Sequence, residues 1–367
     1  MPTSAPRAEK GVIADALSCD AERLSPCTSD RHLLAACLLY TSAAFAYSPR
    51  HYAEFLFIYG SSVVTTVAPI VALFILVLTY IKSRRFPISY LKNVFGRQFR
   101  FAFVSTLIFV VSISAFTTFK YNIPSVVSFY GDRYFADLDY YLHGADTWRI
   151  LHNALPAWSI HIIQPAYSTI WFSLWFGVLF FVTVRMNGPE RDRYLWSLAL
   201  TMFFVGTLLA ALLSSVGPVF YDQFVGGTRF LELRNALGTT FSGNDTLRYA
   251  AYLLDSYQSG EKVFGSGISA MPSVHVAIVV LNALLFSTIS RSLGTASWAF
   301  ALLIFAGSIY TGWHYAIDGY VSAIVVVIIW VGVSRAFGLS ATRAAAQRKT
   351  STRDLPAAAT ARAGTDR

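Results

Sequence analysis

Charge is the scarcest commodity in this chain. Asp, Glu, Lys and Arg make up 13% of its 367 residues, against 55% hydrophobic residues and a mean hydropathy of +0.50. Soluble domains carry roughly 25% charged residues, so a water-soluble globular fold is excluded and a polytopic membrane protein is expected. Cysteine is nearly absent as well: Cys19, Cys27 and Cys37 are the three in the sequence. Their spacing suits neither a disulfide framework nor a metal site, and the cytoplasmic side expected for them disfavours disulfides. No inverted repeat of the transporter kind is visible. No cleavable signal peptide is expected, because the first 32 residues are polar and no small-residue cleavage pattern follows the first apolar run. That run would act as its own insertion signal.

What the sequence has in quantity is apolar runs. A span needs about 20 apolar residues, and candidate spans lie at 33–47, 55–81, 101–119, 162–184, 195–213, 274–290, 298–313 and 315–334. The expected fold is an all-α integral membrane protein with about eight transmembrane helices. It divides into a cytoplasmic tail (1–32), N-terminal spans (33–119), a bundle with outer loops (120–334) and a disordered basic tail (335–367).

Basic residues fix the expected orientation, because Lys and Arg accumulate on the cytoplasmic side. Residues 1–32 carry four, 82–100 six, 185–194 three, 291–297 one and 335–367 seven, leaving eight of 29 for the opposite side. Both termini are therefore expected in the cytoplasm. The net charge of +9 sits mainly beside the membrane, where anionic lipid accounts for it, and no nucleic-acid partner is implied. Two long outer loops, 120–161 and 214–273, contain interfacial helix patterns in DRYFADLDYYLHGADTW (132–148) and NDTLRYAAYLLDSY (244–257). These read as packing and anchoring segments at headgroup level.

Six of the eight candidate spans contain no Asp, Glu, Lys, Arg or His. The exceptions are His275 at the start of the sixth and Asp318 in the eighth, with His314 just before it; the span count puts all three at the outer face. Ionisable groups at such depth are costly and default to functional roles. His314 and Asp318 are i and i+4, so on a helix they would share a face, the carboxylate fixing the imidazole tautomer and making the other ring nitrogen a nucleophile or base. His275 would be the complementary acid. Gly265, Gly267, Ser269 and Ala270 precede His275 without bulk, Pro272 suits a first helical turn, and Ser273 adds a hydroxyl. A helix N-terminus with small residues and two histidines suits a phosphoryl group.

MPSVHVA (271–277) and GWHYAIDGY (312–320) resemble the second and third signature motifs of the type 2 phosphatidic acid phosphatase superfamily, usually written PSGH and SRxxxxxHxxxD. SVGPVFY (215–221) is similar to a stretch in the branch containing inositol phosphorylceramide synthases. The resemblance implies a phosphatidic-acid-phosphatase-like helical bundle acting on a phospholipid or other lipid phosphate, without cofactor or metal. His314 would attack phosphorus to give a phosphohistidine, Asp318 would orient it and His275 would protonate the leaving oxygen. By the distribution of basic residues, the active site would face the periplasm or lumen. The chain departs from the pattern in three places: no Kx6RP motif is present, the glycine of PSGH is Val274, and the arginine six residues before the third-motif histidine is Ser308. Substitute cations for phosphate are sought in Lys120, Arg229, Arg234 and Lys262, with Ser273 as hydroxyl donor. Losses of this kind occur in the sphingolipid-synthase branch, whose members transfer a phospho-headgroup between lipids, and hydrolase and transferase both stay open. So do two other classes: a metal or haem protein using His275, His314 and Asp318 as ligands, and a transporter or scaffold without chemistry. The oligomeric state is not legible in the sequence.

Overall fold

The computed structural model describes residues 28–69, 73 and 87–338, and every described regular element is helical. The first helices are α1 (Thr28–Tyr47), α2 (Pro49–Ser62) and α3 (Pro87–Val126). A shorter pair follows, α4 (Asp132–His143) and α5 (Thr147–Ala154). The bundle continues with α6 (Ala157–Arg185) and α7 (Pro189–Leu212). Three further helices come next, α8 (Pro218–Phe224), α9 (Leu231–Gly238) and α10 (Phe241–Ser259). The chain then returns through α11 (Val274–Ile289), α12 (Arg291–Tyr310) and α13 (Ala316–Ala336).

Among the described residues five helices are long and apolar enough to cross a membrane: Phe103–Val126 within α3, and α6, α7, α12 and α13. α11 is apolar but shorter, at 16 residues, about 24 Å at 1.5 Å per residue. Among the described residues, five of the about eight expected spans are thus seen as membrane-crossing helices. Of the remaining expected spans, 33–47 lies within α1, and 55–81 begins in α2 and runs beyond the described residues, as do most of both tails, Cys19 and Cys27.

α11 is the centre of the bundle. Val276 through Ala283 are all buried, so every face of this helix is covered, by α6, α7, α12 and α13. An apolar helix without amphipathic periodicity has this position in a fold. Its polar Asn282 is satisfied by the Tyr194 hydroxyl of α7 at 2.7 Å. On the periphery, Phe103, Leu302 and Ile328 are more than 60% exposed, an apolar surface matched to lipid rather than to water.

Helices α4, α5, α8, α9 and α10 form a cap over the N-terminal ends of α11 and α13. Leu233, Leu237, Phe230, Tyr221 and Trp148 pack beneath the start of α13 in one apolar cluster. The 244–257 pattern forms part of α10, which starts earlier, with Thr240 as its cap accepting from the Gly243 N–H at 3.1 Å.

Candidate active site

α11 starts at Val274, with Ser273 as its cap. The Ser273 hydroxyl oxygen accepts from the Val276 N–H at 3.4 Å, and the Ser273 N–H donates to the Asp318 carbonyl oxygen at 3.4 Å. Ser273 thus joins the two motif-bearing helices. Pro272 lies before the cap instead of in the first turn, and His275 is the second helical residue.

The pairing of His314 with Asp318 is seen, by a route other than a shared helix face. α13 begins at Ala316, so His314 lies outside it, and Asp318 is the third residue of a capping box. Asp318 Oδ2 accepts from the Tyr315 N–H at 3.0 Å and lies 3.2 Å from His314 Nδ1. With Nδ1–H directed at the carboxylate, Nε2 is the nitrogen left for chemistry. Asp318 is fully buried, and its Oδ1 has no hydrogen-bond partner among the described residues.

His275 faces this pair, its ring centroid 6.3 Å from that of His314. Its imidazole is held between Tyr167, stacked at 4.3 Å and 13°, and Trp171 at 4.0 Å. The Trp171 indole N–H donates to the His275 carbonyl oxygen at 3.0 Å. Both aromatic residues come from α6, where the helix widens into a π turn over Ala166–Ile170 directly after Pro165. Proline lacks the N–H that a regular α-turn needs.

SVGP, residues 215–218, connects the two motifs. The Ala270 N–H donates to the Ser215 carbonyl oxygen (2.9 Å), the Met271 N–H to the Ser215 hydroxyl (3.1 Å) and the Val219 N–H to the Gly312 carbonyl oxygen (2.7 Å). Gly217 has φ +87°, and a Cβ there would collide with the Trp313 carbonyl oxygen, so the turn requires glycine.

Two carboxylates of α4 secure the assembly. Asp132 accepts from the Val216 and Gly217 N–H groups, each at 2.9 Å, and from the Tyr315 hydroxyl at 3.0 Å. Asp139 accepts from the Thr147 hydroxyl at 2.6 Å and the Ile317 N–H at 3.2 Å. Burial pushes both carboxyls above the ordinary aspartate range, against the pull of these donors. The 132–148 segment therefore turns Asp132 and Asp139 inward as anchors for the third motif, a role its mixture of acids and aromatics did not disclose.

The four cations proposed from sequence divide. Lys120 lies at the site: its backbone and side-chain stem pack against Gly267, its charge reaches His275, and it makes no ion pair among the described residues. Arg229 is engaged by Asp137, by Asp146 at 2.9 Å and by the Ala136 carbonyl oxygen at 3.0 Å, joining α4 to the 225–230 turn. Arg234 donates to the Gln223 amide oxygen at 3.0 Å once that amide is oriented to suit its neighbours. Lys262 donates to the Gly260 carbonyl oxygen at 2.7 Å and lies 3.8 Å from Glu54. Ser308, where the family pattern has arginine, donates to the Phe305 carbonyl oxygen of its own helix at 2.7 Å. Among the described residues, no group of three or more His, Cys, Asp or Glu side chains is arranged to hold a metal ion.

Comparison with curated proteins and with solved structures returned no match. The family model of the PAP2 superfamily matches residues 138–332, a stretch that holds both histidines, Asp318 and the SVGP turn. With more than half of its length matched, the chain belongs to the PAP2 superfamily.

Proposed function

We propose that this protein is a membrane lipid phosphatase or phosphotransferase that cleaves a lipid phosphoester through a phosphohistidine on His314. The observation that carries the reading is a buried imidazole whose Nδ1 is held by Asp318 while a second imidazole stands 6.3 Å away, centroid to centroid. In the first step the His314 Nε2 lone pair attacks phosphorus, the bond from phosphorus to the leaving oxygen breaks, and His275 gives that oxygen its proton. In the second step water or a lipid hydroxyl gives its proton to His275 and attacks the phosphohistidine, whose P–N bond breaks and returns His314. Asp318 stabilises the positive charge that His314 acquires.

Charge supports a choice between substrate classes. The usual cationic clamp is missing, and among the described residues Lys120 is the lysine at the histidines without a carboxylate partner. A single positive charge complements a phosphodiester monoanion better than a phosphomonoester dianion. This favours transfer of a phospho-headgroup, in keeping with the likeness of SVGPVFY to the inositol phosphorylceramide synthase branch, with the site facing the periplasm or lumen.

The test is a panel of phosphomonoester and phosphodiester lipids in detergent, with and without a lipid alcohol acceptor. Acceptor-dependent headgroup exchange is expected. Phosphate release from monoesters alone would make the protein a phosphatase, and an inert panel would remove the reading altogether.

A further inference from the structure

The hydroxyl of Tyr167 is unexplained by packing. Tyr167 is 5% exposed, and its hydroxyl has no hydrogen-bond partner among the described residues. Three other buried tyrosines have hydroxyl partners: Tyr59 with Thr117 at 2.9 Å, Tyr194 with Asn282 at 2.7 Å and Tyr315 with Asp132 at 3.0 Å. A buried phenol without a partner is disfavoured, and phenylalanine would fill the same space without that cost.

Its location is specific. The ring lies on the His275 imidazole at 4.3 Å and 13°, and its edge faces Gly307 of α12. Asp318 and Tyr249 are close enough to act on its hydroxyl electrostatically. It is presented by the π turn of Ala166–Ile170, a rare geometry that recurs at functional sites. Asp318 Oδ1, the other unpartnered atom here, is an acceptor, so two buried polar atoms without partners occupy one site together with Lys120.

We propose that Tyr167 is a catalytic residue that donates its phenolic O–H to a non-bridging oxygen of the phosphoryl group while its ring braces His275. The assignment rests on the phosphoryl-transfer reading above and supplies a neutral donor where the family's arginines are missing. No proton is transferred by Tyr167: its O–H shortens onto the oxygen as negative charge grows in the transition state. Because a phenol adds no charge, it serves a monoanionic diester without over-neutralising it.

Tyr167→Phe keeps the stacked ring and deletes the hydroxyl alone. Loss of one such donor costs about 10²- to 10³-fold in kcat in other enzymes. We expect a fall in kcat of at least tenfold, a melting temperature equal to or above wild type, and inhibition by orthovanadate, a mimic of five-coordinate phosphorus, weakened by at least tenfold. Wild type and His314→Ala are assayed on the same lipid panel. Active wild type, inactive His314→Ala and a Tyr167→Phe protein within twofold of wild type would overturn the Tyr167 assignment alone. So would a loss accompanied by a lower melting temperature or by unchanged vanadate inhibition, either of which marks a structural role. Inert wild type would overturn the parent reading and this one together.

Discussion

Asp318→Asn separates two things a carboxylate can do for a histidine, and the geometry predicts which survives. Oδ2 takes both contacts, the Tyr315 N–H at 3.0 Å and His314 Nδ1 at 3.2 Å, while Oδ1 has no partner. An asparagine can place its amide oxygen at the Oδ2 position and its NH₂ where no acceptor is lost, so tautomer and ring orientation persist. What disappears is the negative charge facing an imidazole that becomes cationic on attack. At about 4 Å and an effective dielectric near 20 this attraction is about 4 kcal/mol, or roughly 10³-fold in rate at 1.36 kcal/mol per decade. The assay is single-turnover formation of phosphoenzyme in detergent, alongside thermal unfolding to show that the bundle is intact. A folded Asp318→Asn protein within tenfold of wild type would refute the electrostatic role. Asp318→Ala, which also strands the Tyr315 N–H, is expected to lose more activity and to lower the melting temperature.

Asp132→Ala leaves three buried donors unpaired, two N–H groups and the Tyr315 hydroxyl. At about 1–3 kcal/mol each it is expected to cost several kcal/mol, read as a large fall in melting temperature, and a wild-type melting curve would contradict the anchoring role. Lys120→Met should raise KM for a lipid phosphate about tenfold or more with the fold intact, whereas Arg229→Gln should lower stability and leave KM within twofold, because Arg229 is already held by Asp137 and Asp146. His152 stacks on Tyr310 at 4.0 Å, and burial holds it below the ordinary histidine range. The unfolded chain therefore takes up this proton first as pH falls through about 6.5, and stability is lost below that pH until the folded residue also protonates. In His152→Phe the fall in melting temperature between pH 7.5 and 5 should be shallower than in wild type, and an equal or steeper fall would contradict the linkage. A single cysteine replacing exposed Gln258, on a background without Cys19, Cys27 and Cys37, should react with a membrane-impermeant reagent from outside intact cells, and one replacing exposed Asn187 should not. The reverse pattern would invert the orientation.

Much of the central constellation was legible because it contrasts with its surroundings. His275, His314 and Asp318 stand out in runs otherwise free of ionisable groups, and span counting brought them to one face before any distance was known. The span count itself was less legible: 33–47 lies in α1, which is not among the helices long and apolar enough to cross a membrane, 55–81 runs beyond the described residues, and α11, hydrophobic on every side, gave no hint that it is the central helix and not a lipid-facing one. Asp132 and Asp139 were hidden for a different reason. In DRYFADLDYYLH an acid among aromatics reads equally well as an exposed interfacial residue, and its inward role exists only through donors at Val216, Gly217 and Ile317, between 84 and 178 residues away. Tyr167 left no periodic signal in an aromatic-rich run; Pro165 was the local mark that the helix would open there. The i, i+4 spacing of His314 and Asp318 gave the right pair by the wrong route, since a capping box also brings a side chain back to the residues before the helix.

The central claim is a covalent bond between His314 Nε2 and phosphorus. Lipid radiolabelled at phosphorus is reacted with the protein in detergent, quenched under alkaline conditions that preserve phosphohistidine, and the labelled peptide is mapped. The label is expected on His314, acid-labile, absent from His314→Ala and depleted when an acceptor alcohol is added. Label on His275, or turnover by His314→Ala at the wild-type rate, would contradict the account.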